Sequence, residues 1–338
     1  MNVTIRLTIK TGISLLALVM SATGSPLAMA DNNPRAQMRL DFDQAVKGKT
    51  VAWVPITLGN PIGDMWTSVM RENFGKYGIK FLVRDPNFSS SAQLQAVTSL
   101  INQKPDVLIV QNANVSLLTK ELRRAMDNGI YVVQVNLLSN QASDAYVGVD
   151  YVDVGRQIAT DIVTECGAGK SSGKVALVQG ELTATDSIDQ MKGAMEVFNK
   201  DKSIKVVSTQ AAKWDSSKAN ALTATTLQQH PDLCATYGFW GTMQQGAAQA
   251  VKTAGLQGKV KVYASSDGPR ADCDLVEQKL FHKILSFRAD VQGEQISNAV
   301  LSLLQSGNKP GSRRITLLSN NYWVSGKSER NYCYDLPK

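Results

Sequence analysis

The chain has 338 residues, a formal net charge of +7 and 19% charged side chains. That length exceeds what one hydrophobic core usually serves, so two domains of roughly 150 residues each are expected. The basic residues are scattered, with Arg123-Arg124 and Arg313-Arg314 the only adjacent pairs, which argues against the basic stripe of a nucleic-acid binder.

In chain order, residues 1–30 read as an export signal. Arg6 and Lys10 precede an apolar run from Ile13 to Met20 that is too short to span a bilayer, and Ala28-Met29-Ala30 gives the small-x-small pattern of a cleavage site. The mature chain is expected to begin at Asp31 in the periplasm, as a soluble protein with a formal charge of +5 once Arg6 and Lys10 are gone. An uncleaved anchor is the alternative, disfavoured by the short apolar core. No Cys follows the run to carry a lipid. Residues 31–49 are set aside as an N-terminal extension.

From residue 50 short β-branched runs alternate with stretches of helical periodicity, the pattern of a parallel sheet covered on both faces by helices. Strands are predicted at 51–57, 79–83, 106–110 and 130–135, and helices near 61–77, 90–102 and 116–127. A second series repeats the grammar. Its strands fall near 174–179, 204–209, 235–239 and 260–264, and its helices near 151–165, 186–199, 216–229 and 242–253. Gly78, Gly129, Gly255 and Gly258 follow helices, and Asn60-Pro61 and Ser216-Ser217 open them. Two doubly wound halves facing each other leave a cleft outside the carboxyl ends of their strands, where ligands of such sheets bind. The segments to inspect are therefore Thr57 to Asn60, Gln111 to Asn114, Asn136, Gln179 to Asp186, Trp214, Trp240 and Ser266 to Gly268. Amides, two Trp side chains and an acid suit a polar organic solute held by hydrogen bonds and stacking.

The four cysteines, Cys166, Cys234, Cys273 and Cys333, match no metal spacing, and an oxidising compartment makes one or two disulfides the default. Three complete pairings are possible. Cys166 closes a helix just before one strand of the second half and Cys234 opens another, so a Cys166–Cys234 bond is geometrically reasonable, leaving Cys273 and Cys333 to pair or stay free. The two histidines, His230 and His282, do not follow strands where the cleft lies, so a structural or surface role is expected of both rather than general-base chemistry. Gly167–Ser171 and Gly326–Ser328 resemble the end of a phosphate loop but lack its leading glycine, with Thr164 and Asn321 in its place. No GxSxG elbow or HExxH occurs, and neither a metal nor a cofactor is expected.

Taken together, the strand running into Leu58-Gly59-Asn60-Pro61, then Lys104–Val110, Asp127–Ile130 and Ala264–Gly268, resemble the type I periplasmic sugar-binding proteins of the ribose and galactose kind. The resemblance covers residues 50–320. It implies two Rossmann-like lobes joined by three crossover strands, the first from 50–149 and 289–320, the second from 150–288, with 321–338 a C-terminal extension. It also implies a non-enzymatic binding protein that closes on a solute and delivers it to the permease of an ATP-driven (ABC) importer. Asn60 matches the family's asparagine before the first helix, Asp267 its acid after the late strand, and Trp214 its aromatic platform. Trp240 falls where many members have Asn. Asn136 stands where an Asp is usual, with Leu137 replacing Arg; Ile188 replaces another Arg, with Asp186 nearby; Phe287 replaces Gln, with Arg288 beside it. The pocket is thus less cationic and more aromatic than a ribose site.

The expected ligand set is Asn60, Trp66, Asn136, Asp186, Trp214, Trp240, Asp267, Phe287 and Arg288, although Trp66 fits a core face equally well. An uncharged sugar or polyol would lie between Trp214 and Trp240 or Phe287, fixed by Asn60, Asn136 and Asp267. The rival is an amino sugar or small amine with Asp267 and the aromatics as a cation site. The same closure would serve a sensory receptor that docks on a chemoreceptor or histidine kinase. No nucleic-acid partner is expected, and the protein reads as a monomer.

Overall fold

The computed structural model describes Met1 and residues 33–336. The expected signal segment and its cleavage site lie outside the described residues. Residues 1–40 and 41–338 separate as compact units, and the lobes below belong to the second. Helix α1 (Pro34–Val46) occupies the expected N-terminal extension.

The first lobe runs β1 (Thr50–Val54), α2 (Pro61–Lys76), β2 (Lys80–Val83), α3 (Ser90–Asn102), β3 (Val107–Val110), α4 (Thr119–Asp127), β4 (Tyr131–Val135) and β5 (Ala145–Gly148). β1 ends three residues before its predicted limit because Pro55 has no N–H to give the ladder. The second lobe runs α5 (Tyr151–Cys166), β6 (Lys174–Gln179), α6 (Thr185–Phe198), β7 (Lys205–Ala211), α7 (Ser216–Gln229), β8 (Ala235–Gly238), α8 (Gly241–Thr253), β9 (Lys261–Ser266), α9 (Arg270–Glu277) and β10 (Lys283–Ser286). The chain then returns to the first lobe with α10 (Ala289–Ser306) and β11 (Ile315–Leu318), and crosses once more to β12 (Tyr322–Val324) and a 3₁₀ turn (Lys327–Tyr332).

One sheet has the order β11-β5-β4-β3-β1-β2 and is parallel throughout. The other has the order β12-β10-β9-β8-β6-β7, parallel except for β12 against β10. The strand interiors of β1, β3, β6 and β8 are buried, as sheets covered on both faces require. α10 packs against α2 of the first lobe, closely enough that a Cβ on Gly293 would meet Val69 Cβ at 2.8 Å. Three segments therefore cross between the lobes, after β5, after β10 and after β11.

The region after residue 320 is not an appendage, as the sequence suggested. β12 completes the second sheet, and Cys333 is bonded to Cys273 on α9. Cys166 is bonded to Cys234, so all four cysteines brace the second lobe. Both lobes are discontinuous in sequence.

Candidate functional site

The strand order reverses between β1 and β3 in one sheet and between β6 and β8 in the other, and the residues beyond those strand ends build one cleft. Ile56, Thr57, Asn60, Gln111, Asn136 and Leu137 from the first lobe face Asp186, Trp214, Phe239 and Trp240 from the second. They enclose about 520 Å³ free of protein atoms, part of it open to solvent, and Ile62, Phe88, Tyr151 and Phe287 complete the wall. The lobes touch at the lip, where Val115 N–H donates to the Thr183 carbonyl at 3.1 Å and the Thr185 hydroxyl to the Leu138 carbonyl at 2.6 Å.

The aromatic part is locked edge to face. Trp214 meets Trp240 at 6.2 Å between ring centroids and 81° between planes, and Tyr151 meets Phe287 at 6.1 Å and 85°. Trp214 and Lys213 both have left-handed backbones, φ 66° and 55°, a conformation that costs a bulky residue energy and turns the indole back over Gly180. A Cβ on Gly180 would lie 1.9 Å from that ring. Asp215 then caps α7 by accepting from Lys218 N–H.

The polar groups differ in how much of their bonding capacity is already used. Asn60 caps α2: its Oδ1 accepts from Gly63 N–H at 2.9 Å and its Nδ2 donates to the Thr57 carbonyl at 3.3 Å, so the amide mainly holds the turn. Gln111 accepts from Ile56 N–H through Oε1 at 3.1 Å, which leaves its NH₂ for the cleft. Asn136 has a left-handed backbone (φ 52°) and accepts from Gln292 at 3.1 Å, while its buried Nδ2 has no partner. Asp186 accepts from Ser187 N–H at 2.8 Å through one oxygen, and burial pushes its carboxyl up to about 8.

Six of the nine expected ligand residues therefore lie on the wall: Asn60, Asn136, Asp186, Trp214, Trp240 and Phe287. Three do not. Trp66 is buried in the first-lobe core, 6.2 Å from Trp53 edge to face, because its helix face turns to the sheet rather than the cleft. Asp267 is fully buried behind Trp240: one oxygen accepts from Trp240 Nε1 at 2.8 Å and the other from Tyr334 Oη at 2.8 Å. Arg288 pairs with Asp290 and donates to the Asn331 carbonyl at 2.9 Å, so its charge is neutralised off the wall. Phe88, Tyr151 and Phe239 were missed. Phe239 ends a predicted strand and Tyr151 opens a predicted helix, which is the only signal either offered. His282 lies with Asp161 and Glu165, whose carboxylates Lys283 engages at 2.9 and 3.5 Å, at the strand starts away from the cleft.

Residues 51–309 match the periplasmic binding protein domain family. The D-allose-binding periplasmic protein of Escherichia coli is 33% identical over 188 residues, 53% of this chain and 60% of its own length. The D-ribose/D-allose-binding protein of Pseudomonas aeruginosa is 30% identical over 177 residues, 51% of this chain and 55% of its own. The chain thus spans less than two thirds of either relative. An ABC transporter solute-binding protein from Burkholderia graminis, solved in complex with D-arabinose, superposes with a TM-score of 0.75 at 22% identity, over 84% of this chain and 97% of its own, a likeness of fold.

Proposed function

The chain belongs to the periplasmic binding protein domain family, and from that premise we propose that it captures a small polar solute, a monosaccharide or polyol, between its lobes and delivers it to an ABC importer. The reading is of a carrier, not an enzyme. One observation carries it: the cleft at the strand ends combines aromatic faces with a buried amide donor, Asn136 Nδ2, that has no partner in the protein, the mixture that grips a hydroxylated ring. Trp214, Trp240 and Phe287 supply contact area and strip water from the ring faces, and Asn136, Gln111 and Asp186 take hydroxyls that would otherwise be buried unpaired at about 1–3 kcal/mol each.

Asn60 and Asp267 serve this site indirectly, Asn60 by shaping the β1–α2 turn and Asp267 by fixing the Trp240 indole. Export through the first thirty residues, with cleavage after Ala30, agrees with the periplasmic residence printed in the name of the allose-binding relative. The carrier acts as a monomer, and its closed form is the shape that an inner-membrane permease, or a chemoreceptor as well, would read.

Thermal denaturation against a panel of monosaccharides and polyols tests the reading. A ligand that binds only the folded state raises stability by about 2.7 kcal/mol at a hundredfold excess over its dissociation constant. At least one member of the panel should raise the midpoint by several degrees, and Trp214→Ala should abolish that rise. A flat response across the panel at millimolar concentration sinks the proposal.

A further inference from the structure

Asp186 is a buried carboxyl with no cationic partner among the described residues. It stands at the start of α6, 93% buried and on the cleft wall, and its carboxylate is met by backbone N–H groups, those of Ser187 and of Asp186 itself, with no cationic side chain paired to it among the described residues. The titratable side chains facing it are Asp189 on α6, Tyr151 on α5, Tyr146 on β5 and Tyr237 on β8. None of them is a cation. Among the described residues no Lys or Arg lines the pocket that holds Asp186; Lys213 and Lys218 lie on the outer side of Trp214 with Glu181 and Asp215, and Leu137 and Ile188 stand where arginines were expected. Desolvation therefore outweighs the backbone hydrogen bonds from Ser187 and Asp186 N–H, so without a cation this carboxyl is held mainly as the neutral acid at pH 7.

The surroundings would suit a cation from outside. Trp214, Trp240 and Phe287 present π faces or edges to the same space, and an ammonium held among aromatic rings and a carboxylate gains both cation–π attraction and a charge-assisted hydrogen bond. Across the cleft the unpaired Asn136 Nδ2 is a buried donor that asks for an acceptor such as a hydroxyl oxygen. Resting on the reading of this cleft as a sugar or polyol site, we propose that its solute is a hydroxylated amine, an amino sugar or amino polyol, whose ammonium pairs with Asp186 while a hydroxyl accepts from Asn136. On binding, the Asp186 O–H proton passes to the solvent, and the carboxylate so formed accepts from the ammonium.

Calorimetry with matched pairs tests this: D-glucosamine against D-glucose, D-galactosamine against D-galactose, and an inosamine against myo-inositol. In at least one pair the amine should bind ten times tighter or more than its neutral counterpart. Its heat at pH 7 should change with the ionisation enthalpy of the buffer, because a proton is released. Asp186→Asn, checked for folding by its melting curve, should weaken that amine at least tenfold and remove the buffer dependence. The proposal fails if every neutral member binds as tightly as its amine, or if Asp186→Asn leaves the amine affinity within threefold of wild type; sugar capture would still stand. A panel in which nothing binds overturns both.

Discussion

Gly180 contributes to the cleft by what it lacks. Its Cα lies under the Trp214 indole, and a methyl group there would sit 1.9 Å from the ring. Gly180→Ala should therefore push Trp214 off the wall and weaken solute binding at least tenfold, about 1.4 kcal/mol, while moving the melting midpoint little; calorimetry and a melt on the same sample read both. Unchanged affinity would remove Trp214 from the site. Asp186 makes a second prediction, with a definite sign. Its folded pKa of about 8 lies above the unfolded value of 3.8, so the folded state holds the proton more tightly. The stabilising contribution of this group is then fully present below about pH 4, is lost as pH rises towards 8 and stays lost above. Asp272, pushed up to about 7, and Asp267, also pushed up by burial, act in the same direction. Urea titrations at pH 5 and pH 8 should show a smaller loss in Asp186→Asn than in wild type; equal losses would mean that Asp186 ionises freely in the fold. The sequence could place Asn136, Trp214 and Trp240 at the cleft because each follows a strand. It could not tell which way a side chain turns once there. Trp66 turned inward, and Asp267 was claimed by Tyr334, a residue 67 positions away.

Among the elements, the C-terminal segment from β12 to Tyr334 couples stability to the cleft. It adds an antiparallel edge to β10, ties Cys333 to Cys273, and places Tyr334 on Asp267, which in turn holds Trp240. Removing either disulfide should cost about 2–4 kcal/mol of folding stability, since both close long loops, 60 residues for Cys273–Cys333 and 68 for Cys166–Cys234. Only the first should also weaken binding, because only its loss frees the strap that fixes Trp240. Paired Cys→Ala variants compared by denaturant unfolding and calorimetry separate the two effects, and equal affinity in both would break the proposed link. The longer elements were legible in the sequence: α3 and α7 were bounded to the residue and β6 likewise, since caps and period agree there. β11 and β12, of four and three residues, are too short to display a period. Their assignment depends on partners far along the chain.

At the scale of the whole molecule, two lobes follow from the repeated βα alternation, but the way they interleave does not. Local patterning says that a strand exists and is silent about which sheet receives it, so the last residues read as an extension. The first sheet keeps an open edge at β5 until β11 arrives from residues 315–318, and α2 lacks its packing partner until α10 is made. Under the export proposed above, the chain would cross a membrane before folding, and the order in which these segments become available would then matter. Without the segment beyond residue 288 the first lobe lacks α10 and β11, and the two disulfides of the second need an oxidising compartment to form. On that proposal the interleaving would leave both sheets incomplete until residues 315–324 are available, so that the two halves would set together.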